Sequence, residues 1–324
     1  MNYWWVNQNQ TFKQERAGGY LWSPKRKADG NRNPFYEFMR EVSPGDIVFS
    51  FEGTYIRAIS VVQTFCYECP KPMEFGSVGP NWEMIGWKVD LHYIDLINQI
   101  KPAEHIDSIR SVLPPKYSPL LQDGRGLQGI YLTEIQEPLM QVLTNLIGRE
   151  AKDIVNMSYV SDDIGEYGKE LVDWESHIEQ EIQNDNDLDE TEKLQIILAR
   201  RGQGHFRNNV QKLERKCRVT NVDRPEHLRA SHCKPWRDCE NSNERLDGEN
   251  GLLLTPSIDH LFDRGFISFE DSGELLISPV AHMVSLQRMG VPTDHILNVG
   301  NFSEGQKKHL DYHRNLVFLE AFHN

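Results

Sequence analysis

The sequence predicts an α+β protein with two folded units: a small β-barrel with helices, a helical acidic connector, and a C-terminal strand–strand–helix unit. Three observations predict it. Residues 1–148 carry many short strand signals and few helical ones. Residues 150–192 hold fifteen Asp and Glu against two Lys. Residues 193–237 reverse this, with twelve Lys and Arg against three acids, and lead into two short strands and a helix. At 324 residues, with 39% hydrophobic and 26% charged side chains, the chain is long enough for two cores.

The elements follow in order. "PFYEFMREV" reads as a short helix that starts at a proline. "GDIVFSF" and "YIRAISVV" are strands rich in β-branched and aromatic residues, and "EGT" between them signals a hairpin. "WEMIGWKVDLHYI" and "GIYLTEI" are further strands, and "EPLMQVLTNLIGREAKDIV" is one longer helix that closes the region. Beyond the acidic stretch, the segment 190–216 reads as a helix bent at "GQG", because two glycines weaken a helix. "CRVT" and "HLRASHCKPW" read as strands and "FISFEDSGELLIS" as a hairpin turning at Asp271-Ser272-Gly273. "SEGQKKHLDYHRNLVFLEAF" is an amphipathic helix. The expected division is 1–148, 149–192 and 193–324.

Composition removes several classes. No apolar run approaches the ~18 residues of a membrane helix. The opening "MNYWWVNQNQ" has neither a basic nor an apolar leader region, and five irregularly spaced cysteines suit a reducing compartment. The expectation is a cytoplasmic protein with no membrane contact. The net charge of −13 argues against a nucleic-acid partner, but it averages two opposite local fields. A polyanion is steered by local potential, so the basic stretch, which includes Arg200 and Arg201, remains a candidate for phosphate contact.

That stretch precedes a tight set of chemically capable residues. His232 lies in "HLRASHCKPW"; Asn250 follows eighteen residues later in "NGLLLTPSIDHLFDRG", which also holds Asp259, His260 and Asp263. A histidine in a Pro-Trp strand is, taken alone, more often a core residue than a base. The ordered set "RRGQGHFR", "CRVT", "ASHCKPW", "NGLLL" and "DHLFDRGFISF" resembles the HNH endonuclease family over roughly residues 200–285. The resemblance implies a ββα-metal fold and phosphodiester hydrolysis. It implies His232 as the base and Asn250 as the residue that orients it. One divalent cation, Mg²⁺ or Mn²⁺, would be held by the following helix. Counted from Asn250, the family's ligand positions fall on Asp259 and Asp263, which share a helix face. His260 is one residue off that register, yet it is the residue the family's name picks, so it ranks equal with Asp259; Asp263 stands behind them, with capping or bracing the helix as its alternative. Where family members often carry an aspartate before the base, this chain has Ser231.

The first 148 residues are rich in aromatics, most of them expected in the core. "YWWVNQNQTFKQE", "GGYLWSPK", "VSPGDIVFSF" and "NWEMIGW" resemble the EVE family, a branch of the PUA-like barrels. That resemblance implies a reader that encloses a modified base in an aromatic pocket. Trp22, beside Gly-Gly and Ser-Pro in an expected exposed loop, is the first candidate wall. Tyr67 and Trp87 come next, with core packing as their alternative. Lys25, Arg26, Lys27 and Arg32 are placed to follow a phosphate backbone.

A reader followed by an HNH nuclease resembles the modification-dependent restriction endonucleases. The expectation is therefore a type IV-like enzyme that flips 5-methylcytosine or 5-hydroxymethylcytosine out of double-stranded DNA and cuts it as a homodimer or as paired chains. Two alternatives stay open: an HNH nuclease whose barrel senses RNA or a small molecule, and a non-catalytic DNA-binding protein. The pair Cys66 and Cys69 has no second pair nearby, and Cys217, Cys233 and Cys239 lack zinc-site spacing.

Overall fold

The computed structural model describes residues 1–127, 129–156, 180, 182–184, 193–194, 197 and 204–319. The chain divides into two compact units, Met1–Glu175 and Ser176–Asn324. Arg200, Arg201, the "GQG" bend and most of the acidic connector lie outside the described residues.

The N-terminal unit runs β1 (Tyr3–Asn7), α1 (Phe12–Gly18), β2 (Tyr20–Pro24), α2 (Pro34–Glu37), β3 (Ile47–Glu52), β4 (Tyr55–Val62), β5 (Tyr67–Pro70), β6 (Ile85–Ile100), α3 (Ile106–Ile109), β7 (Leu132–Ile135), α4 (Glu137–Ile147) and α5 (Arg149–Asn156). Seven strands form a curled, open half-barrel in the order β2-β6-β4-β3-β1-β7, with β5 also paired to β6. All pairs are antiparallel except β1 with β3. The sixteen-residue β6 carries the curl, pairing with β2 and β5 in its first half and with β4 in its second. The β3–β4 hairpin turns on Gly53 and Thr54, both at positive φ (55° and 75°), as a tight two-residue connection requires.

Alternation sorts β3. Ile47, Phe49 and Phe51 join Trp5, Ile59 and the α4 residues Leu139 and Leu143 in one core. Ser50 takes the other face, where Glu15 is fully buried. Glu15 accepts hydrogen bonds from Gln8, Thr11, Tyr131 and the Trp22 backbone N–H. Burial still pushes its carboxyl up to about 7.

Three local expectations are corrected. The single helix expected over 137–155 breaks at Gly148 (φ 104°) into α4 and α5. Ala151 and Ile154 of α5 belong to the N-terminal core, so the folded unit extends past residue 148. "CRVT" is a turn rather than a strand: Asn221 at φ 59° lets its N–H reach the Cys217 carbonyl at 2.8 Å. A chain that closes on itself within five residues leaves no extended run to pair, whatever its β-propensity.

The C-terminal unit is described from α6 (Gly204–Leu213). It continues through β8 (Arg229–His232), α7 (Ser242–Leu246), β9 (Gly251–Leu254), α8 (Pro256–Asp263), β10 (Ile267–Phe269), β11 (Leu275–Ile277), α9 (Met283–Arg288) and α10 (Glu304–Tyr312). The pair β8–β9 is antiparallel, and β10–β11 is the hairpin that turns at Gly273. Phe206, Leu252, Leu254, Ile258, Phe262, Phe269 and Leu310 share one core. Pro256 starts α8, where its missing N–H costs nothing, and Ser303 with Gln306 forms a capping box on α10.

Candidate functional site

β8 brings its residues to two different places. Paired strand residues alternate faces, so Arg229 and Ser231 point one way and Ala230 and His232 the other. On the first side lies α8, with Asp259 and Asp263 one turn apart. The Ser231 hydroxyl donates to Asp263 Oδ1 at 2.9 Å, and Arg229 Nη1 donates to Asp259 Oδ2 at 3.3 Å. Both carboxyls are raised above their ordinary range. Burial is the main cause for each, and for Asp263 the charge of Asp259 adds to it. Arg229 is mostly exposed and neutralises the pair only in part. Two buried carboxylates, a hydroxyl and a deficit of positive charge form a set of hard oxygen donors. That set fits Mg²⁺ or Mn²⁺ better than a softer metal. Among the described residues no group of three or more His, Cys, Asp or Glu is placed to hold a metal ion, so the set rests on the hydroxyl as well. His260 is exposed and sits one residue round α8 from Asp259, to the side of the Asp259–Asp263 face.

On the other side His232 stacks flat on Phe206 of α6, with ring centres 3.7 Å apart and planes within 5°. Its Nε2 lies 3.0 Å from the Arg245 carbonyl oxygen. A carbonyl can only accept, so Nε2 carries the hydrogen and Nδ1 keeps the basic lone pair. Burial pushes the imidazole down to about 4, so it stays neutral at ordinary pH. His313 shows what a structural histidine looks like in the same unit. It also stacks on a phenylalanine, Phe262 at 3.8 Å, but both its nitrogens are engaged, by the Phe262 carbonyl and the Ser268 hydroxyl. At His232 only Nε2 is, among the described residues.

The carbonyl that sets the tautomer belongs to α7, in the segment that joins β8 to β9, and Asn250 ties that segment down. Asn250 is fully buried. Its Oδ1 accepts from the Lys234 N–H at 2.8 Å, and its Nδ2 donates to the Lys234 and Glu244 carbonyls at 3.2 and 3.3 Å. Lys234 Nζ reaches both oxygens of Glu244 at 3.0 Å. Opposite His232 in the ladder, Gly251 leaves room for the stack. A Cβ there would come within 2.7 Å of the Phe206 ring and 2.5 Å of Val210. Gly251→Ala is therefore expected to cost about 1–3 kcal/mol as Phe206 is displaced. Thermal melting checks this, and an unchanged midpoint would show that the stack has slack.

In the N-terminal unit the exposed-loop setting expected for Trp22 is corrected. Trp22 lies in β2, is 1% exposed, and donates its indole N–H to the Cys69 carbonyl at 3.2 Å. Phe75 meets it edge-on at 5.8 Å and Trp82 at 6.1 Å. Strand pairing overrode the Gly-Gly and Ser-Pro flanks, because β2 lies against β6 along its whole length. Trp22 and Tyr67 both pair with Lys88 and share a face, whereas Trp87 is one residue on and takes the opposite face. Lys25 is ion-paired to Glu68 and Arg32 to Glu37, while Arg26 and Lys27 sit exposed on the turn between them. Sequence reasoning missed Phe206, Arg245, Trp82 and Glu68, and named Ser231 only as a departure from the family pattern. Its place one residue before the base was the available signal for Ser231.

Residues 217–270 match the family described as HNH endonuclease. No curated protein matches the chain. Among solved structures, a protein from Pseudomonas putida is 14% identical with a TM-score of 0.32, over 45% of this chain and 99% of its own. One from Pseudomonas syringae is 12% identical with a TM-score of 0.31, again over 45% and 99%. The YTH domain of Pho92, solved in complex with m6A, is 11% identical with a TM-score of 0.30, over 46% and 84%. At these TM-scores none of the three carries a functional argument. Among the described residues no helix is long and apolar enough to cross a membrane.

Proposed function

We propose that this chain is a modification-dependent DNA endonuclease. Its C-terminal unit hydrolyses phosphodiesters and its N-terminal unit reads a modified cytosine flipped out of the duplex. The observation that carries the nuclease half is the tautomer of His232. The Arg245 carbonyl leaves Nδ1 free to take a proton, within a segment that matches the HNH endonuclease model.

In this reading, His232 Nδ1 accepts a proton from a water as its oxygen attacks phosphorus. The bond from phosphorus to the 3′ oxygen then breaks, leaving a 5′ phosphate and, after protonation, a 3′ hydroxyl. Asn250 holds that segment, and so the Arg245 carbonyl, in place throughout. Asp259, Asp263 and Ser231 would hold a divalent ion, which when bound offsets charge on the phosphate and the leaving oxygen. Because the imidazole is already neutral, no prior deprotonation is needed at neutral pH.

The reader half rests on the aromatics of β2, β5 and β6. Of the three candidates, Trp87 is the one whose indole N–H is buried without a partner among the described residues, and we place the edge of the flipped base against that N–H. Trp22 and Tyr67 then pack beneath that sheet, and Arg26 and Lys27, on an exposed turn, are placed for backbone phosphates. One such active site cuts one strand, so double-strand cleavage calls for two chains on the DNA.

Matched plasmids with and without cytosine methylation, incubated with Mg²⁺ or Mn²⁺, test the whole reading. Cleavage of the methylated plasmid alone is expected. Equal cutting of both would remove the reader, and no cutting with either ion would remove the nuclease.

A further inference from the structure

The register of the N-terminal sheet sets three polar side chains in one row. Ser23 pairs with Trp87 across β2–β6, and Glu68 pairs with Trp87 across β5–β6. Directly paired residues point to the same face and lie within reach of each other. Ser23 is 1% exposed and its hydroxyl has no partner, and the Trp87 indole N–H is likewise buried and unpartnered. Buried donors are normally satisfied, so two left unpaired among the described residues at one register position point to an occupant that brings acceptors. Glu68, 5% exposed, supplies a carboxylate at the far end of the row. Lys25 bridges the Glu68 end and the centre of the row: it is ion-paired to Glu68 and its ammonium lies 4.9 Å over the Trp87 ring.

We propose that this row reads the Watson–Crick edge of the flipped base, and that Glu68 is the residue that separates 5-methylcytosine from thymine. The inference rests on the reading of this unit as a modified-cytosine reader. It answers a difficulty which that reading creates. Both bases carry the same 5-methyl group, so an aromatic wall that senses the methyl accepts both, and thymine is abundant in any DNA. The two differ on the edge. Cytosine presents two acceptors, O2 and N3, and an amino donor at C4; thymine presents O2, an N3–H and an O4 acceptor. The Ser23 hydroxyl and the Trp87 N–H match the cytosine acceptors, and the Glu68 carboxylate matches the amino group. Set against thymine, the carboxylate faces the O4 lone pairs and is repelled. Lys25 offsets the carboxylate charge, which keeps the row tolerable when the site holds no base.

Binding by the full-length protein in EDTA, followed by fluorescence anisotropy, tests this without cleavage. The probes are one duplex with a central 5-methylcytosine, cytosine or thymine opposite guanine. A T·G mismatch flips more easily than a pair, so any preference for 5-methylcytosine comes from the pocket. The wild type is expected to favour 5-methylcytosine over thymine by roughly tenfold or more. Glu68→Gln should bring that ratio close to one, because the amide can donate to O4. Trp87→Phe keeps the ring and removes the N–H. It should weaken 5-methylcytosine binding several-fold and lower the ratio, since Trp87 stands mid-row opposite N3, an acceptor in cytosine and an N–H in thymine. A Glu68→Gln protein with the wild-type ratio and an unchanged melting profile overturns the assignment of Glu68. Trp87→Phe with wild-type affinity shows that the row serves the fold alone and overturns the site. A wild type that binds 5-methylcytosine and cytosine equally is a different failure, that of the reader itself.

Discussion

His232→Ala is expected to abolish cleavage while DNA binding persists. A general base contributes about 10²–10⁴-fold to rate and little to affinity, so the loss should appear in single-turnover cleavage rather than in the binding isotherm. The replacement also leaves the Phe206 face and the Arg245 carbonyl without their partner, which costs stability. The melting midpoint is therefore read alongside, and His232→Gln, which can still donate to that carbonyl, serves as the better-packed companion. Both variants folded and both cutting within a few-fold of wild type would remove His232 from the mechanism. Loss of binding together with loss of cutting would mean that the residue is structural, as His313 is.

The carboxylates of α8 should show opposite effects on stability and on activity. Asp263 is buried beside Asp259, and with no cation the two repel. In a chelator, Asp263→Asn should keep the hydrogen bond from Ser231 and remove the repulsion, so its melting midpoint should equal or exceed that of the wild type. With Mg²⁺ or Mn²⁺ present the order should reverse, and cleavage should demand far more metal. Losing an outer partner of a metal ligand typically costs about 10–100-fold in affinity, and losing a ligand should cost at least that. Asp259→Ala should behave likewise, whereas His260→Ala, exposed and off that face, should shift the metal requirement least. Cleavage by Asp263→Asn at an unchanged metal concentration would sink the ligand assignment. If His260→Ala instead produced the large shift, the ion would sit on the outer side of α8. A stabilised but inactive variant is the pattern expected where a site holds charge for function at the expense of the fold.

Much of this molecule is decided by local chemistry and so is legible in the chain. The β3–β4 hairpin follows from Gly53-Thr54 between two β-branched runs, and α8 follows from a proline start and apolar spacing. The spacing of Asp259 and Asp263 puts them on one helix face before any packing is known. The charge reversal near residue 193 and the order of the His232 and Asn250 segments are likewise properties of the sequence. Tertiary structure alone decided which nitrogen of His232 is basic, because a carbonyl thirteen residues away, in α7, sets the tautomer. It decided that Ser231 joins the carboxylates while His232 turns away, since strand parity and helix docking must combine to do so. Trp22 looked exposed from its Gly and Pro neighbours and is buried, because pairing with β6 outweighs flanking propensity. "CRVT" looked like a strand and is a turn, because the chain folds back at Asn221 onto the Cys217 carbonyl. Ser23, Trp87 and Glu68 lie far apart in the chain, and only the register of three strands makes them a row; such long-range pairing leaves no periodic signal in a single sequence.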